Sequence, residues 1–232
     1  MYLLFICILE GEDLLGIIFT GGENPPAEVI RKLVEQEAEG AFLVAADSGL
    51  AAAEEAGLRP DWIIGDMDSL DDPARLSVYP AERVIRYEHD KDYTDTELAF
   101  SLAVEKGCNA IWIIGGGGGR IDHLFAIRSL FEREIFPRRW ITNTADIRCI
   151  DASTADNEIC LRLEKGAAVS VFPLGDGRWE AKSTGLKWQL AGLPWERGFF
   201  GLSNVAVDGE FSVTAKKGRF MLILDKEKIC LR

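Results

Sequence analysis

The 232-residue chain has too few histidines for a histidine-rich metal centre and contains no C-x-x-C pair. Its two histidines are His89 and His123, and its five cysteines are scattered along the chain. This pattern argues against a zinc site and against a thioredoxin-like redox motif. Unpaired, scattered cysteines are typical of reduced thiols in the cytoplasm, so we expect a cytoplasmic location.

The chain also has no basic excess and no long hydrophobic run. Its 26 basic and 38 acidic residues give a net charge of −12, which argues against general nucleic-acid binding because that function needs a basic surface. The apolar stretch at residues 1–9 is too short to span a membrane and lacks the features of a signal peptide. We interpret it as an extra strand or an appended segment, and we expect neither nucleic acid nor membrane as a partner.

In the first part of the chain, apolar strand-like runs alternate with helix-like segments. Repeated β-α-β order predicts an α/β fold with a mostly parallel sheet, Rossmann-like layering and helices on both faces. The predicted strands are residues 15–20, 42–46, 62–64, 83–87, 110–114 and 139–142. The predicted helices are residues 25–38, 48–56, 94–106 and 121–134.

The pattern changes after about residue 144, where apolar and polar residues alternate in short runs. Examples are Ile159, Leu161 and Leu163, separated by Cys160 and Arg162. Such alternation between turn signals predicts a small antiparallel sandwich or barrel. We therefore predict two domains, an α/β domain at residues 1–144 and a smaller all-β sandwich domain at residues 145–232.

Acidic motifs follow several of the predicted strands. Asp47-Ser48-Gly49 follows one strand, and Asp66 and Asp68 follow the next. Parallel sheets bind ligands at the carboxyl ends of their strands, and Mg²⁺ prefers carboxylate ligands together with substrate phosphates. The simpler interpretation is an acidic turn at Asp66 and Asp68 and a helix cap at Asp47. The shared position at strand ends favours a site.

The segment Asp92-Tyr93-Thr94-Asp95-Thr96-Glu97 combines a structural signal with candidate ligands. Thr94 and Glu97 have the spacing of a capping box, which predicts a helix start at this point. Asp95 in the first turn suits the helix dipole and could also serve the site. The capping motif gives no reason for Asp92.

Five consecutive glycines, Gly115–Gly119, precede Arg120, Asp122 and His123. Glycine-rich backbone before a helix exposes N–H groups that can hold phosphate. The run is neither a P-loop, because no Gly-Lys-Ser/Thr follows, nor the Rossmann fingerprint, because Arg120 stands at the third glycine position. Arg120 could clamp phosphate oxygens, and Asp122 could bind a metal or accept a proton.

The ordered set of motifs resembles the thiamine pyrophosphokinase family from about residue 15 to the C-terminus. The resemblance implies an N-terminal catalytic domain that binds ATP and Mg²⁺, and a C-terminal β-sandwich for thiamine binding and homodimer formation. It implies transfer of pyrophosphate from ATP to the thiamine hydroxyl, with AMP as the second product. The matching motifs are residues 46–49, 64–69, 92–97, 119–123, 184–188 (Thr-Gly-Leu-Lys-Trp) and 201–204 (Gly-Leu-Ser-Asn).

The resemblance also implies roles for individual residues. It implies Asp66, Asp68 and Asp95 as metal ligands, and Asp68, Asp95, Arg120 and Asp122 as catalytic residues. It implies nucleotide contacts from Asp47, Ser48, Gly49, Asp92, Thr94, Gly117, Gly118 and Gly119. It implies thiamine contacts from Lys91, Ser203 and Asn204, with Ser203 and Asn204 reaching across the dimer interface.

Two alternatives stay open at this point. Several relatives carry an aromatic residue shortly after the Ser-Asn pair, whereas Val205, Ala206 and Val207 follow it here. A related pyrophosphokinase acting on another small alcohol, such as a pterin or a pyrimidine, therefore remains possible. The glycine and acidic motifs would also suit a nucleotide-binding protein without catalysis.

Overall fold

The structure, a computed structural model, describes residues 14–68, 73–88, 92–207 and 209–225. Residues 1–9, interpreted as an extra strand or appended segment, lie outside this part. The helices are α1 (Ala27–Glu37), α2 (Gly49–Glu55), α3 (Asp95–Glu105) and α4 (Ile121–Leu130). The strands of the first part are β1 (Leu15–Phe19), β2 (Phe42–Ala46), β3 (Trp62–Gly65), β4 (Val84–Arg86), β5 (Ala110–Ile114) and β6 (Arg139–Ile141). Those of the second part are β7 (Ala145–Asp151), β8 (Glu158–Arg162), β9 (Ala168–Leu174), β10 (Glu180–Thr184), β11 (Gly201–Val205), β12 (Glu210–Lys217) and β13 (Arg219–Asp225).

The first six strands run parallel in the order β6-β5-β1-β2-β3-β4. Their side chains are apolar almost without interruption because both faces of the sheet are covered. Helices α1 and α2 pack on the face that carries Ile17 and Phe19. Helices α3 and α4 pack on the opposite face, which carries Ile18 and Val44. This arrangement agrees with the layering expected from the sequence.

The order of the parallel strands reverses between β1 and β5. From β1 the chain moves outward through β2, β3 and β4, whereas β5 returns to the other side of β1 and β6 continues from there. The loops that leave the carboxyl ends of β1 and β5 therefore diverge. In open α/β sheets this switch point is where ligands bind.

The second part of the chain extends the same sheet and adds a smaller one. Strand β7 pairs antiparallel with β6, so that β7, β13, β9 and β11 complete a ten-stranded sheet. A three-stranded sheet, β10-β12-β8, packs on it through a core that includes Val169, Phe211 and Leu222. The structure is thus a mixed α/β fold with a large sheet and a small antiparallel one. The division at residue 144 stays a prediction, since the strands on either side of it pair directly.

A buried charge network lies where β6 meets β7. The Arg139 guanidinium donates to both carboxylate oxygens of Asp146, at 3.0 and 2.7 Å, and Arg148 donates to the same two oxygens. The Asp146 side chain is 1% exposed. Strand β7 was not predicted from the sequence, because these charged residues interrupt the apolar pattern by which a buried strand is recognised.

Two further differences from the sequence predictions concern local boundaries. Helix α4 ends at Leu130 instead of residue 134, because Phe131 and Phe136 turn into the core. Short 3-10 turns at Pro73–Val78 and Ala81–Arg83 precede β4 and were not predicted. No helix in the described part of the chain combines the length and apolar character that crossing a bilayer requires.

Candidate functional site

An open cleft of about 610 Å³ lies at the carboxyl ends of the parallel strands. It includes the β1–α1 and β5–α4 loops, and thus the switch point of the sheet. Its lining includes acidic side chains, glycine backbone and the guanidinium of Arg120. The sequence-predicted residues in the lining are Asp47, Ser48, Asp66, Thr94, Asp95, Gly118, Gly119 and Arg120.

Three carboxylates in this cleft come together from three separate loops. One oxygen each from Asp47, Asp66 and Asp95 lies within 4.8 Å of the others, and all three residues are half-buried. Asp47 follows β2, Asp66 follows β3 and Asp95 opens α3. Such a group of oxygen ligands suits a hard divalent cation such as Mg²⁺.

Asp47 carries the clearest sign that this cluster accepts a cation. Its Oδ1 atom is buried and has no hydrogen-bond partner. A buried carboxylate oxygen without a partner is costly, and a bound cation would remove that cost. The backbone φ of Asp47 is 48°, a value that Asp and Asn tolerate better than most residues. The donor set of the cluster therefore fits the Mg²⁺ that the family resemblance implies.

The other predicted residues of the acidic motifs do not belong to the carboxylate cluster. Asp68 is exposed and outside the carboxylate cluster, although its backbone N–H donates to Asp66 Oδ1 at 3.1 Å. Asp92 is exposed and does not line the cleft, and Lys91 lies outside the described residues. Gly49 packs directly under the backbone of Phe19, where a Cβ would collide, so it brings α2 close to β1.

Three glycines of the loop Gly115–Gly119 line the cleft, whereas Gly115 and Gly117 do not. Gly116, Gly118 and Gly119 line it, and all three have positive φ values between 61° and 69°. Residues that carry a side chain rarely adopt this backbone conformation, so the shape of the loop depends on glycine. Gly117 lies behind the lining, because its N–H donates to the Glu23 carbonyl at 3.2 Å. Its N–H is therefore already engaged.

Arg120 and Asp122 form an exposed ion pair at the start of α4. The Arg120 guanidinium donates to the two oxygens of Asp122 at 3.1 and 2.6 Å. This hydrogen bond holds the pKa of the Asp122 carboxyl below its ordinary value. Arg120 and His123 line the cleft, whereas Asp122 does not. Among the described residues, Arg120 is the one lysine or arginine in the cleft lining.

Thr94 and Glu97 form the predicted capping box. Thr94 Oγ1 accepts from the Glu97 N–H at 3.2 Å, and Glu97 Oε2 accepts from the Thr94 N–H at 3.1 Å. These bonds fix the first turn of α3 and with it the position of Asp95. The Thr94 hydroxyl is thus engaged in the cap even though the residue lines the cleft.

Replacing Thr94 with alanine is expected to lower the free energy of unfolding by about 1 kcal/mol, the usual loss for a threonine N-cap. Serine at the same position retains the hydroxyl and should recover most of that loss. Urea denaturation of the three proteins measures the difference. Equal stability of the alanine and wild-type proteins would show that this cap does not stabilise the helix.

Ser203 and Asn204 lie in β11, away from the cleft of their own chain. Ser203 is exposed and has a φ of 54°. The Asn204 side chain is buried, and its Oδ1 accepts from the backbone N–H groups of Trp188 and Val205 at 3.0 and 2.8 Å. Asn204 therefore holds the loop that carries the exposed Trp188.

The sequence analysis missed the glycine pair that follows β1. Thr20, Gly21 and Gly22 line the cleft, and the Thr20 hydroxyl lies 2.6 Å from that of Thr96. A usable signal was present, because this pair follows a strand just as the acidic motifs do. Tyr93 also lines the cleft and is 59% exposed.

A carboxylate cluster facing a glycine loop at the switch point of a parallel sheet defines a class of protein that binds metal-complexed phosphates. Comparison with known proteins narrows this class. Residues 34–138 match the family model described as "Thiamin pyrophosphokinase, catalytic domain". Over 177 residues the chain is 28% identical to the thiamine pyrophosphokinase of Bacillus subtilis, covering 75% of this chain and 80% of that protein.

Solved structures of named enzymes share the fold of this chain. The thiamine pyrophosphokinase of Bacillus subtilis superposes with a TM-score of 0.70 at 24% identity, covering 92% of this chain and 99% of that one. The enzyme of Geobacillus thermodenitrificans gives 0.67 at 26%, covering 94% and 100%. The enzyme of Candida albicans gives 0.67 at 17%, covering 91% and 90%. Together, the family model and the Bacillus subtilis relative confirm the resemblance to the thiamine pyrophosphokinase family.

Proposed function

We propose that this protein is a thiamine pyrophosphokinase, which transfers the pyrophosphoryl group of ATP to the hydroxyl of thiamine and releases AMP. The observation that carries the proposal is the cleft itself, in which the carboxylate cluster faces the glycine loop and Arg120. Phosphoryl transfer depends mainly on positioning and on neutralising charge. The named homologues supply the identity of the acceptor.

In this proposal, Asp47, Asp66 and Asp95 hold Mg²⁺, which would neutralise charge on the triphosphate. Asp68 supports the cluster through its backbone bond to Asp66. The N–H groups of Gly118 and Gly119, at the start of α4, hold phosphate oxygens. Ser48 and Thr94 complete the nucleotide side of the cleft. Asp92 is exposed and outside the cleft lining, and this proposal assigns it no contact.

We assign Asp122 to orienting Arg120 and not to accepting the proton of the thiamine hydroxyl. Its carboxylate accepts both guanidinium bonds, and its pKa is lowered by them. A carboxylate with a lowered pKa is a weak base. Asp122 therefore keeps the guanidinium directed while Arg120 binds the phosphate.

The thiamine side of the site is proposed to require a second copy of the chain. Ser203 and Asn204 do not line the carboxylate cleft of their own chain, so direct contact with a substrate bound there would come from a partner. A homodimer would supply this second copy, and we place it in the cytoplasm from the scattered cysteines alone. Ser203 is the better candidate for direct contact, because the Asn204 oxygen already accepts two backbone bonds.

Replacing Arg120 with alanine is expected to lower kcat/KM for MgATP about 100-fold, the scale for losing one preorganised electrostatic group. Lysine should recover little, because it cannot donate two bonds in a fixed plane. Steady-state kinetics measure both effects. Arg197→Ala is the matched control, since Arg197 forms a comparable exposed pair with Asp176 outside the cleft. Normal kinetics for Arg120→Ala would remove this residue from the mechanism.

The proposed function itself is tested by AMP release from MgATP with and without thiamine, with the product identified by mass. Thiamine-dependent AMP together with thiamine diphosphate would establish the reaction. AMP release that requires a pterin or pyrimidine alcohol would assign another acceptor. ATP binding without AMP over the whole panel would indicate a nucleotide-binding protein without catalysis.

A further inference from the structure

Glu23, in the β1–α1 loop, is joined to the glycine loop through its backbone. Its N–H donates to the Gly117 carbonyl at 2.6 Å, and the Gly117 N–H donates back to the Glu23 carbonyl at 3.2 Å. The two residues form an isolated antiparallel bridge. One residue earlier, a Cβ on Gly22 would approach the Gly117 carbonyl oxygen to 2.9 Å. The two loops are therefore packed against each other without space for a side chain at this point.

The Glu23 side chain extends this junction to a third loop. Its carboxylate accepts a hydrogen bond from the side-chain amide of Asn143, in the turn between β6 and β7. It also lies directly against Gly118, where a Cβ would collide with the carboxyl group. Asn143 in turn contacts Gly117, where a Cβ would approach its Oδ1 to 2.6 Å. Glu23 and Asn143 thus enclose the rear of the glycine loop.

Glu23 itself does not line the cleft, whereas Gly118 and Gly119 do. Any positioning of a bound phosphate by Glu23 must therefore pass through the loop. We infer that Glu23, held by Asn143, is a positioning residue that fixes Gly118 and Gly119 in the conformation that binds phosphate. This inference rests on the phosphate-binding role proposed above for the loop.

The chemistry required of Glu23 is that of a hydrogen-bond acceptor. A negative charge close to a phosphate loop opposes the binding of an anion, so the charge offers no direct advantage there. The acceptor oxygen is needed because the Asn143 amide donates to it. Glutamine supplies an acceptor of the same length without the charge. The Glu23→Gln variant therefore separates positioning from any effect of charge.

The test uses the full chain with Glu23→Ala, Glu23→Gln, Asn143→Ala and the double alanine variant. Steady-state kinetics give KM for MgATP and kcat, and calorimetry gives the affinity for magnesium tripolyphosphate. Both single alanine variants should raise KM and weaken tripolyphosphate binding about 10-fold, with kcat changed less than about threefold. The double variant should be no worse than either one, because both residues act through one contact. Glu23→Gln should bind within about threefold of the wild type.

Glu28→Ala serves as the matched control, since Glu28 is an exposed carboxylate in α1 that pairs with Arg31 and Lys32. This variant should leave KM for MgATP and the affinity for magnesium tripolyphosphate unchanged. If Glu23→Gln weakens tripolyphosphate binding as much as Glu23→Ala does, the inference is overturned in favour of a charge effect. Wild-type binding in Glu23→Ala, or additive losses in the double variant, would also overturn it.

Failure of the proposed function can be told apart from failure of this inference. Tripolyphosphate binding needs neither thiamine nor turnover. If the wild type binds tripolyphosphate but forms no AMP, the proposed function fails while weakened binding in the alanine variants still supports Glu23. If AMP forms and the alanine variants behave as wild type, the inference alone fails. If the wild type does not bind tripolyphosphate, the loop is not a phosphate site and the inference is wrong.

Discussion

Replacing Asp66 with asparagine is expected to lower pyrophosphate transfer by at least about 100-fold, the scale for removing one preorganised electrostatic group. Asp66 is central to the proposal, because it contributes an oxygen to the carboxylate cluster with Asp47 and Asp95. Loss of its charge weakens Mg²⁺ binding, since Mg²⁺ depends on carboxylate ligands. Thiamine-dependent AMP release over a range of Mg²⁺ concentrations measures the effect, and excess Mg²⁺ should restore part of the activity.

Asp68→Asn is the matched control for this substitution. It changes the same chemical group two residues away, on an exposed side chain outside the cluster. We expect a loss of less than about 10-fold, because the bond from Asp68 to Asp66 uses the backbone N–H, which the substitution retains. A larger loss from Asp68→Asn than from Asp66→Asn would favour the ligand set Asp66, Asp68 and Asp95 expected from the sequence.

The Asp66→Asn protein is also expected to be more stable than the wild type when EDTA removes divalent cations. Three carboxylates within 4.8 Å repel one another without a cation. Removing one charge relieves this repulsion, and sites built for function commonly gain stability when they are neutralised. Thermal unfolding in EDTA should show a Tm higher by about 2–4 °C. A lower Tm would show that Asp66 stabilises the fold and would weaken its use as a functional probe.

The largest effect on stability is expected from Asp146, with a loss of about 3–5 kcal/mol in the free energy of unfolding for Asp146→Asn. The substitution leaves two arginines, Arg139 and Arg148, buried without their shared carboxylate. Arg139 keeps a bond to Glu37 at 2.8 Å, which compensates for part of the charge. Urea denaturation measures the loss. Asp156→Asn is the control, because its carboxylate is 60% exposed and pairs with Arg138 at 3.4 Å.

The same network predicts how stability depends on pH. Burial alone would raise the pKa of Asp146, but the charges of Arg148 and Arg139 outweigh it and hold the pKa below its ordinary value of 3.8. Because the pKa is lowered in the folded protein, this stabilisation is fully present above about pH 4 and is lost as the pH falls further. The difference in stability between the wild type and Asp146→Asn should therefore shrink as the pH falls below about 4. A constant difference between them from pH 7 to pH 2 would contradict this assignment.

Much of the parallel sheet could be predicted from the sequence because each buried strand is a continuous apolar run. Ile111–Ile114 and Phe42–Ala46 are examples, and their lengths and breaks agree with β5 and β2 within a residue or two. The capping box at Thr94 was also predicted correctly, since its hydrogen bonds join residues three positions apart. Strand β7 was missed because Asp146 is stabilised by Arg139 on β6 and in turn stabilises Arg148. A local pattern cannot show this contact between two strands.

For the candidate site, the sequence indicated which loops carry the chemistry but not which atoms meet. It placed Asp47, Asp66 and Asp95 after strands or at a helix start, and the structure brings them together. It grouped Asp68 with the ligands and Gly117 with the phosphate contacts, whereas the structure places both outside the cleft lining. Two residues that are close together on one loop can point to opposite sides of it. Their spacing in the sequence therefore does not determine which of them faces the cleft.

Local residue order was sufficient for the resemblance to thiamine pyrophosphokinases, the alternation of strands and helices, and the acidic and glycine-rich loops at strand ends. These properties depend only on which residues are near one another in the sequence. Long-range contacts established the strand order that creates the switch point, the pairing of β6 with β7, and the enclosure of the glycine loop by Glu23 and Asn143. The last contact joins residues 120 positions apart in the chain, and such contacts form only when strands distant in sequence become neighbours in one sheet.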